Sequence, residues 1–149
     1  MPVIGVARFE RFFRVAASLD VDKDDLKRYQ TFVYDKLYDL LLMGQATAKA
    51  NQRDVLEPSD LPITKGLQER MHDFRKIDAE VELEPILQYL AARPPLDVML
   101  SESAEARLVP IVGGISLALA LTFKTLDPTL KNPTTEHWDR AERIFDLLL

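Results

Sequence analysis

The sequence contains no cysteine. That excludes disulfides, thiolate metal sites and a cysteine nucleophile. Histidine is scarce as well: His72 and His137 are the only two. Neither sits in an HExxH-type spacing, so no histidine metal motif is present. The five glycines form no G-x-x-x-x-G-K-[ST], G-x-G-x-x-G or G-x-S-x-G pattern, which leaves phosphate-loop and hydrolase-elbow chemistry without support. There is no uninterrupted apolar run of ~18 residues, so no transmembrane helix is expected. Arg8, Glu10 and Arg11 interrupt the N-terminus before a secretion signal can form. The expected setting is cytoplasmic. Carboxylates are plentiful but fall at helix starts or on polar faces. Asp20-x-Asp22-x-Asp24 opens like a calcium loop, yet Asp25 stands where the turn glycine belongs and Thr31 where the bidentate glutamate belongs. Helix capping is the expected role of these acids. Neither metal, cofactor, small-molecule substrate nor enzymatic activity is predicted.

What is present is enough apolar residue, 47% of 149 positions, for one globular core. The net charge of −5 is unevenly spread. Residues 1–76 carry 13 Lys+Arg against 12 Asp+Glu; residues 77–149 carry 6 against 12. An acidic chain is poorly suited to wrapping long DNA, whose affinity comes mainly from phosphate neutralisation. A local basic face can still bind, because distribution matters alongside the total.

The central element is the stretch Asp24 to Gln52. Leu26, Tyr29, Val33, Leu37, Leu41, Gly44 and Ala48 recur in steps of three and four, the spacing of a helix. At ~1.5 Å per residue it spans ~40 Å. A second row, Phe32, Tyr34, Tyr38 and Leu42, widens its apolar surface, so this helix needs cover on more than one side. Asp22, Asp24 and Asp25 crowd its start, as capping and the helix dipole favour.

Before it, Val6 to Ala17 reads as a helix with Phe9, Phe12, Phe13 and Ala16 on one face and Arg8, Arg11 and Arg14 on the other. Those arginines are either a solvated face or a phosphate-facing stripe. After it come a short extended piece at Arg53–Leu56 and a turn at Glu57-Pro58-Ser59. Ser59 or Asp60 is expected to cap a third helix (Leu61, Leu67, Met71, Phe74) that fades near Lys76, with Pro62 in its first turn. Residues 78–83 read as a connector. The order then repeats in residues 84–149: a short helix from Glu84, an extended segment at Leu96–Leu100, a long helix from Ser101 or Ser103, and a final helix over Thr135–Leu149. Pro110 and Gly113-Gly114 predict a bend or a late start in the second long helix. The apolar face of Trp138, Ala141, Phe145 and Leu148 predicts a docked C-terminus.

Short helix, long helix, short helix, done twice, resembles tandem histone folds. Archaeal histones carry an arginine in the second loop and an aspartate seven residues later; Arg53 and Asp60 have that spacing. The runs NQRDVLEPSDLPITKGLQE and LDPTLKNPTTEHWDRAERIFDLLL are similar to a small bacterial family of single-chain double histone folds of unassigned function. The resemblance implies an all-α, histone-like pseudodimer over residues 1–149, with halves 1–77 and 84–149, and an Arg53–Asp60 clamp. In the second half Lys131 stands in place of the arginine, with Asp139 eight residues on.

The physics of the pseudodimer is independent of the resemblance. Each long helix buries the other's stripe, and covalent linkage raises the effective concentration of the pairing to the ~millimolar range. Histone-like pairing predicts that Val55 and Leu56 form a two-stranded bridge with a strand near Leu96–Leu100, and that Val21 lies near Leu130. The resemblance to archaeal histones also implies weak, non-specific contacts to duplex DNA through phosphates, with Arg8, Arg11, Arg14, Lys23, Lys27, Arg28, Lys49 and Arg53 as candidate residues. The alternative is a protein-interaction or self-association module without significant DNA binding, as the acidic second half and the missing second arginine suggest.

Overall fold

The structure is a computed structural model, and it describes residues 5–91 and 95–149. Residues 92–94, where the expected stop of the short helix at Arg93-Pro94-Pro95 mostly falls, lie outside the described residues. Six helices, α1 (Val6–Ala17), α2 (Lys23–Ala50), α3 (Lys65–Val81), α4 (Glu84–Leu90), α5 (Glu102–Leu126) and α6 (Thr135–Leu148), enclose the core; two two-residue strands, β1 (Val55–Leu56) and β2 (Met99–Leu100), form a parallel bridge. Val55 pairs with Met99 and Leu56 with Leu100, which is the expected bridge. At the other loop pair the Asp20 N–H donates to the Lys131 carbonyl at 2.7 Å, beside buried Val21 and Leu130.

The α2 start is fixed by a reciprocal cap: Asp22 accepts from the Asp25 N–H at 2.8 Å and Asp25 accepts from the Asp22 N–H at 3.0 Å. Its stripe meets α1 through aromatic edges, with Phe9 and Phe13 each 5.3 Å from the Tyr29 ring. The two long helices touch where the Tyr29 hydroxyl lies 2.6 Å from Ser116 Oγ. Ser116 donates its own hydrogen to the Val112 carbonyl, so Tyr29 is the donor to Ser116. Burial pushes the Tyr29 phenol well above its ordinary range and keeps it a donor.

Three expectations are corrected. The third helix does not begin at Ser59 or Asp60. Pro58–Asp60 is an isolated 3-10 turn, and Thr64 caps α3 by accepting from the Leu67 N–H at 3.1 Å. The Asp60 carboxylate is committed to Arg53 and to the Glu57 N–H, and the turn closes on it. Nor does α3 fade near Lys76. Half-buried Ile77 and buried Val81 continue the row of Leu67, Met71 and Phe74, so packing carries the helix to Val81. Glu82 then turns in a left-handed conformation (φ 55°).

The second long helix does not start late: it is continuous from Glu102 to Leu126. Ser101 caps it at Ala104 N–H (3.0 Å), and it runs through Pro110. Gly113 and Gly114 are not weak points but the place where α3 presses on the α5 backbone. A Cβ on Gly113 would meet Phe74 Cδ1 at 2.4 Å, and one on Gly114 would meet Met71 Cγ at 2.5 Å. By length and composition α5 could cross a membrane, with a mean hydropathy of 1.8 in its most apolar window, but that window is 61% buried under other helices. A helix apolar all round in this way is the core rod of a bundle.

Candidate nucleic-acid interface

The eight candidate cations do not form one field. On α1, Arg8 Nη1 donates to the Glu82 carbonyl at 3.2 Å. Arg11 lies 3.9 Å from Glu80 and Arg14 3.6 Å from Asp20. The sequence places no acid between the arginines of that face, and Glu10 stands at its edge, four residues before Arg14. Fold and loop supply the acids from α3 and from the turn after α1. These are exposed pairs and hold the arginines only weakly.

Arg28 is a different case. Its guanidinium donates from Nε to Glu142 at 3.2 Å and from Nη2 to both Glu142 and Asp139, and it lies 5.7 Å from the centre of the Trp138 ring. Hydrogen bonding to Glu142 raises its pKa further. Trp138 in turn donates from Nε1 to Asp25 Oδ1 at 3.0 Å, and burial pushes Asp25 above the usual carboxylate range. Arg28 is therefore a seam residue between α2 and α6. Lys49 reaches Asp97 at 2.9 Å beside β2. Of the eight, Lys23 and Lys27 have no partner and Arg8 has only a main-chain carbonyl among the described residues.

Arg53 and Asp60 form a two-pronged clamp, with both N···O distances 2.6 Å. Arg53 also donates to the Val55 carbonyl (3.2 Å) and Asp60 accepts from the Glu57 N–H (2.8 Å). Asp60 is buried, and the guanidinium holds its carboxyl down at about 2. The clamp closes the loop that carries β1.

The second half closes its loop by other means. Asp139 is taken by Arg28, and Lys131 is exposed with no carboxylate partner among the described residues. Instead Lys124 Nζ donates to the Leu130 carbonyl at 2.6 Å. His137 Nδ1 accepts from the Thr134 N–H at 3.1 Å, with Asp127 3.8 Å from its other nitrogen. Hydrogen bonds from Thr129 lower the Asp127 pKa.

Sequence reasoning missed Lys36, the one buried lysine among the described residues. It is 5% exposed and bonded to Asp146, with Asp39 at 3.6 Å. Its position on the edge of the α2 stripe, four residues after Phe32, is the signal that could have placed it inward. Between α2 and α6 runs an open groove of ≈ 780 Å³ that includes Lys27, Arg28, Asp35, Lys36, Glu142 and Asp146. No group of three or more metal-ligating side chains is poised for an ion among the described residues.

Fold and site together define an all-α bundle whose ionic clusters tie its loops and its helix seams. The chain belongs to the family described as a domain of unknown function (DUF1931), whose model matches residues 9–146. Two uncharacterised Aquifex aeolicus proteins are similar. One is 26% identical over 142 residues, covering 95% of this chain and 82% of its own length; the other is 31% identical over 135 residues, covering 82% and 78%. A Thermus thermophilus crystal structure superposes with a TM-score of 0.86 at 52% identity, covering 99% of this chain and all of that one. An Aquifex aeolicus crystal structure gives a TM-score of 0.85 at 24% identity over 100% and 98% of the two chains, a likeness of fold alone.

Proposed function

We propose that this protein is a histone-like pseudodimer serving as a non-enzymatic protein-interaction module rather than as a phosphate-binding DNA packager. The helix order, the parallel β1–β2 bridge and the Arg53–Asp60 clamp support the histone-like reading. The observation that carries the functional choice is the use of the candidate cations inside the fold. Arg28 and Arg53 are locked onto carboxylates, Lys49 reaches Asp97, and the α1 arginines face Glu80, Asp20 and a carbonyl. A chain of net charge −5 whose candidate cations are mostly turned to partners within the fold gains little from counterion release through them.

Fluorescence anisotropy on a labelled duplex of ~30 base pairs at ~50 mM salt tests this, since phosphate contacts are strongest there. The expected result is no saturable binding. Binding that weakens with salt and is lost in the Arg8, Arg11, Arg14 triple alanine variant would instead establish the DNA reading.

A further inference from the structure

The last helices of the two halves, α3 and α6, are packed in different ways. α3 lies against the α5 backbone itself: Phe74 fills the space beyond Gly113, and Met71 the space beyond Gly114. α6 meets the core along a single row of buried residues, Trp138, Ala141 and Phe145. Open grooves run along both of its flanks. One is the groove of ≈ 780 Å³ toward α2. The other, of ≈ 470 Å³, separates α6 from α3 over an α5 floor of Ile115, Ala118 and Leu121.

Across the first groove the seam is mostly ionic. Trp138 donates to Asp25, Arg28 to Asp139 and Glu142, and Lys36 to Asp146. Phe32 against Phe145, with ring centroids 4.9 Å apart, adds an apolar contact. The bridging side chains are long, and the α6 backbone runs alongside α5 rather than α2. Water reaches the acids of the seam: Glu142 is half-buried, and Asp139 and Asp146 are exposed.

Such a seam parts at lower cost than an apolar one. Once separated, Arg28, Asp139, Glu142 and Asp146 regain full hydration, and the charge of Lys36 leaves a buried site. Lys36 also keeps Asp39 of its own helix, 3.6 Å away. A detached helix of 14 residues is marginal in water, so α6 unwinds when it leaves.

We infer that α6 is an ionic latch: it opens as a unit while α1 to α5 stay folded, and the Arg28 and Lys36 pairs set how often. Opening uncovers Phe32 and Phe123, on which Phe145 and Trp138 sit. Openings of this kind are minor states of a native structure that still melts in one step. The latch goes beyond the interaction-module reading and is independent of what the protein binds.

Hydrogen exchange of the full chain, resolved by peptide, tests the latch. In 0.1 M sodium chloride the amides of α6 should exchange at least about tenfold faster than those at the centres of α3 and α5. Raising the salt to 1 M shortens the Debye length from ~10 Å to ~3 Å. Half-exposed pairs of this kind are modest individually, so α6 exchange should rise about fivefold while that of α3 and α5 stays unchanged. An Asp139→Asn, Glu142→Gln, Asp146→Asn triple variant, still helical by circular dichroism, removes every α6 acid of the seam. In 0.1 M salt its α6 should exchange as fast as the wild type does in 1 M, with no further response to salt. Amides of α6 as slow as those of α5 overturn the proposal, because α6 then opens only with the whole molecule. Fast α6 exchange that salt or the triple variant fails to raise also overturns it, because α6 then frays without a latch. So does exchange that either one slows, because Asp35 and Asp39 then repel the α6 acids more than Arg28 and Lys36 hold them. None of these outcomes alters the DNA-binding measurement.

Discussion

Asp60 is the residue where sequence, geometry and titration meet most closely. It is buried, twice bonded to Arg53, and held at about 2 against an ordinary value of 3.8. A carboxyl depressed in the folded state adds stability that is fully present above its unfolded pKa and is lost as pH falls through the folded one. The expected outcome is a melting temperature that declines between about pH 4 and pH 2. Asp60→Asn should lower stability at pH 7 and flatten that decline; thermal scans across the range check both. The glycines at 113 and 114 act through space rather than charge. Ala at Gly114 would force its methyl into Met71, with the Met71 main-chain nitrogen only 3.1 Å away and unable to yield. Overpacking of this kind costs ~1–3 kcal/mol. Calorimetry should show a loss of roughly 3–10 °C. Gly66, with open space around it, is the control whose replacement by Ala leaves the packing intact.

Between elements, the seam of α2 and α6 depends on Trp138. Its ring is buried 4.9 Å from Phe123 while its N–H reaches Asp25 and its face lies near Arg28. Trp138→Phe keeps most of the apolar volume but removes the donor to a half-buried carboxylate. Losing such a partner costs ~1–3 kcal/mol, measurable by urea denaturation. The elements themselves were largely legible in the sequence. The three-and-four spacing marked α1 and α2 nearly to their ends, and the resemblance to archaeal histones implied the Arg53–Asp60 clamp. Boundaries set by tertiary contact were not legible. The extension of α3 to Val81 and the passage of α5 through Pro110 depend on which neighbour covers them. Periodicity alone carries no information about neighbours, so Gly113-Gly114 read as the place of a bend or a late start and not as a contact with α3. The fate of the arginines was hidden for the same reason: Glu80, Asp139 and Glu142 are distant in sequence and reach the arginines only through the fold.

At the scale of the molecule, α5 lies in the second half of the chain yet is covered by α1, α2 and α3 from the first, as well as by α4 and α6. The Tyr29–Ser116 bond and the β1–β2 bridge also cross between the halves. Neither half has a core of its own, because the most apolar helix of one is the inner surface of the other. Separate chains of residues 1–82 and 83–149 should therefore each lack a cooperative melt, and the piece with α5 should aggregate on its own. Chains of that size bury only ~60% of their surface even when well packed. Mixed at equal concentration, the two should recover helix content and a single transition. That transition should depend on concentration, because cutting the link removes a ~millimolar effective concentration. The intact chain should melt in one step, monitored by the near-ultraviolet signal of Trp138 and by far-ultraviolet helicity together. If either fragment melts cooperatively alone, the two halves are independent domains and α5 is not the shared rod described here. Coincident transitions in the intact chain, with recovery only on mixing, would establish that the pairing of the halves and the folding of the chain are the same event.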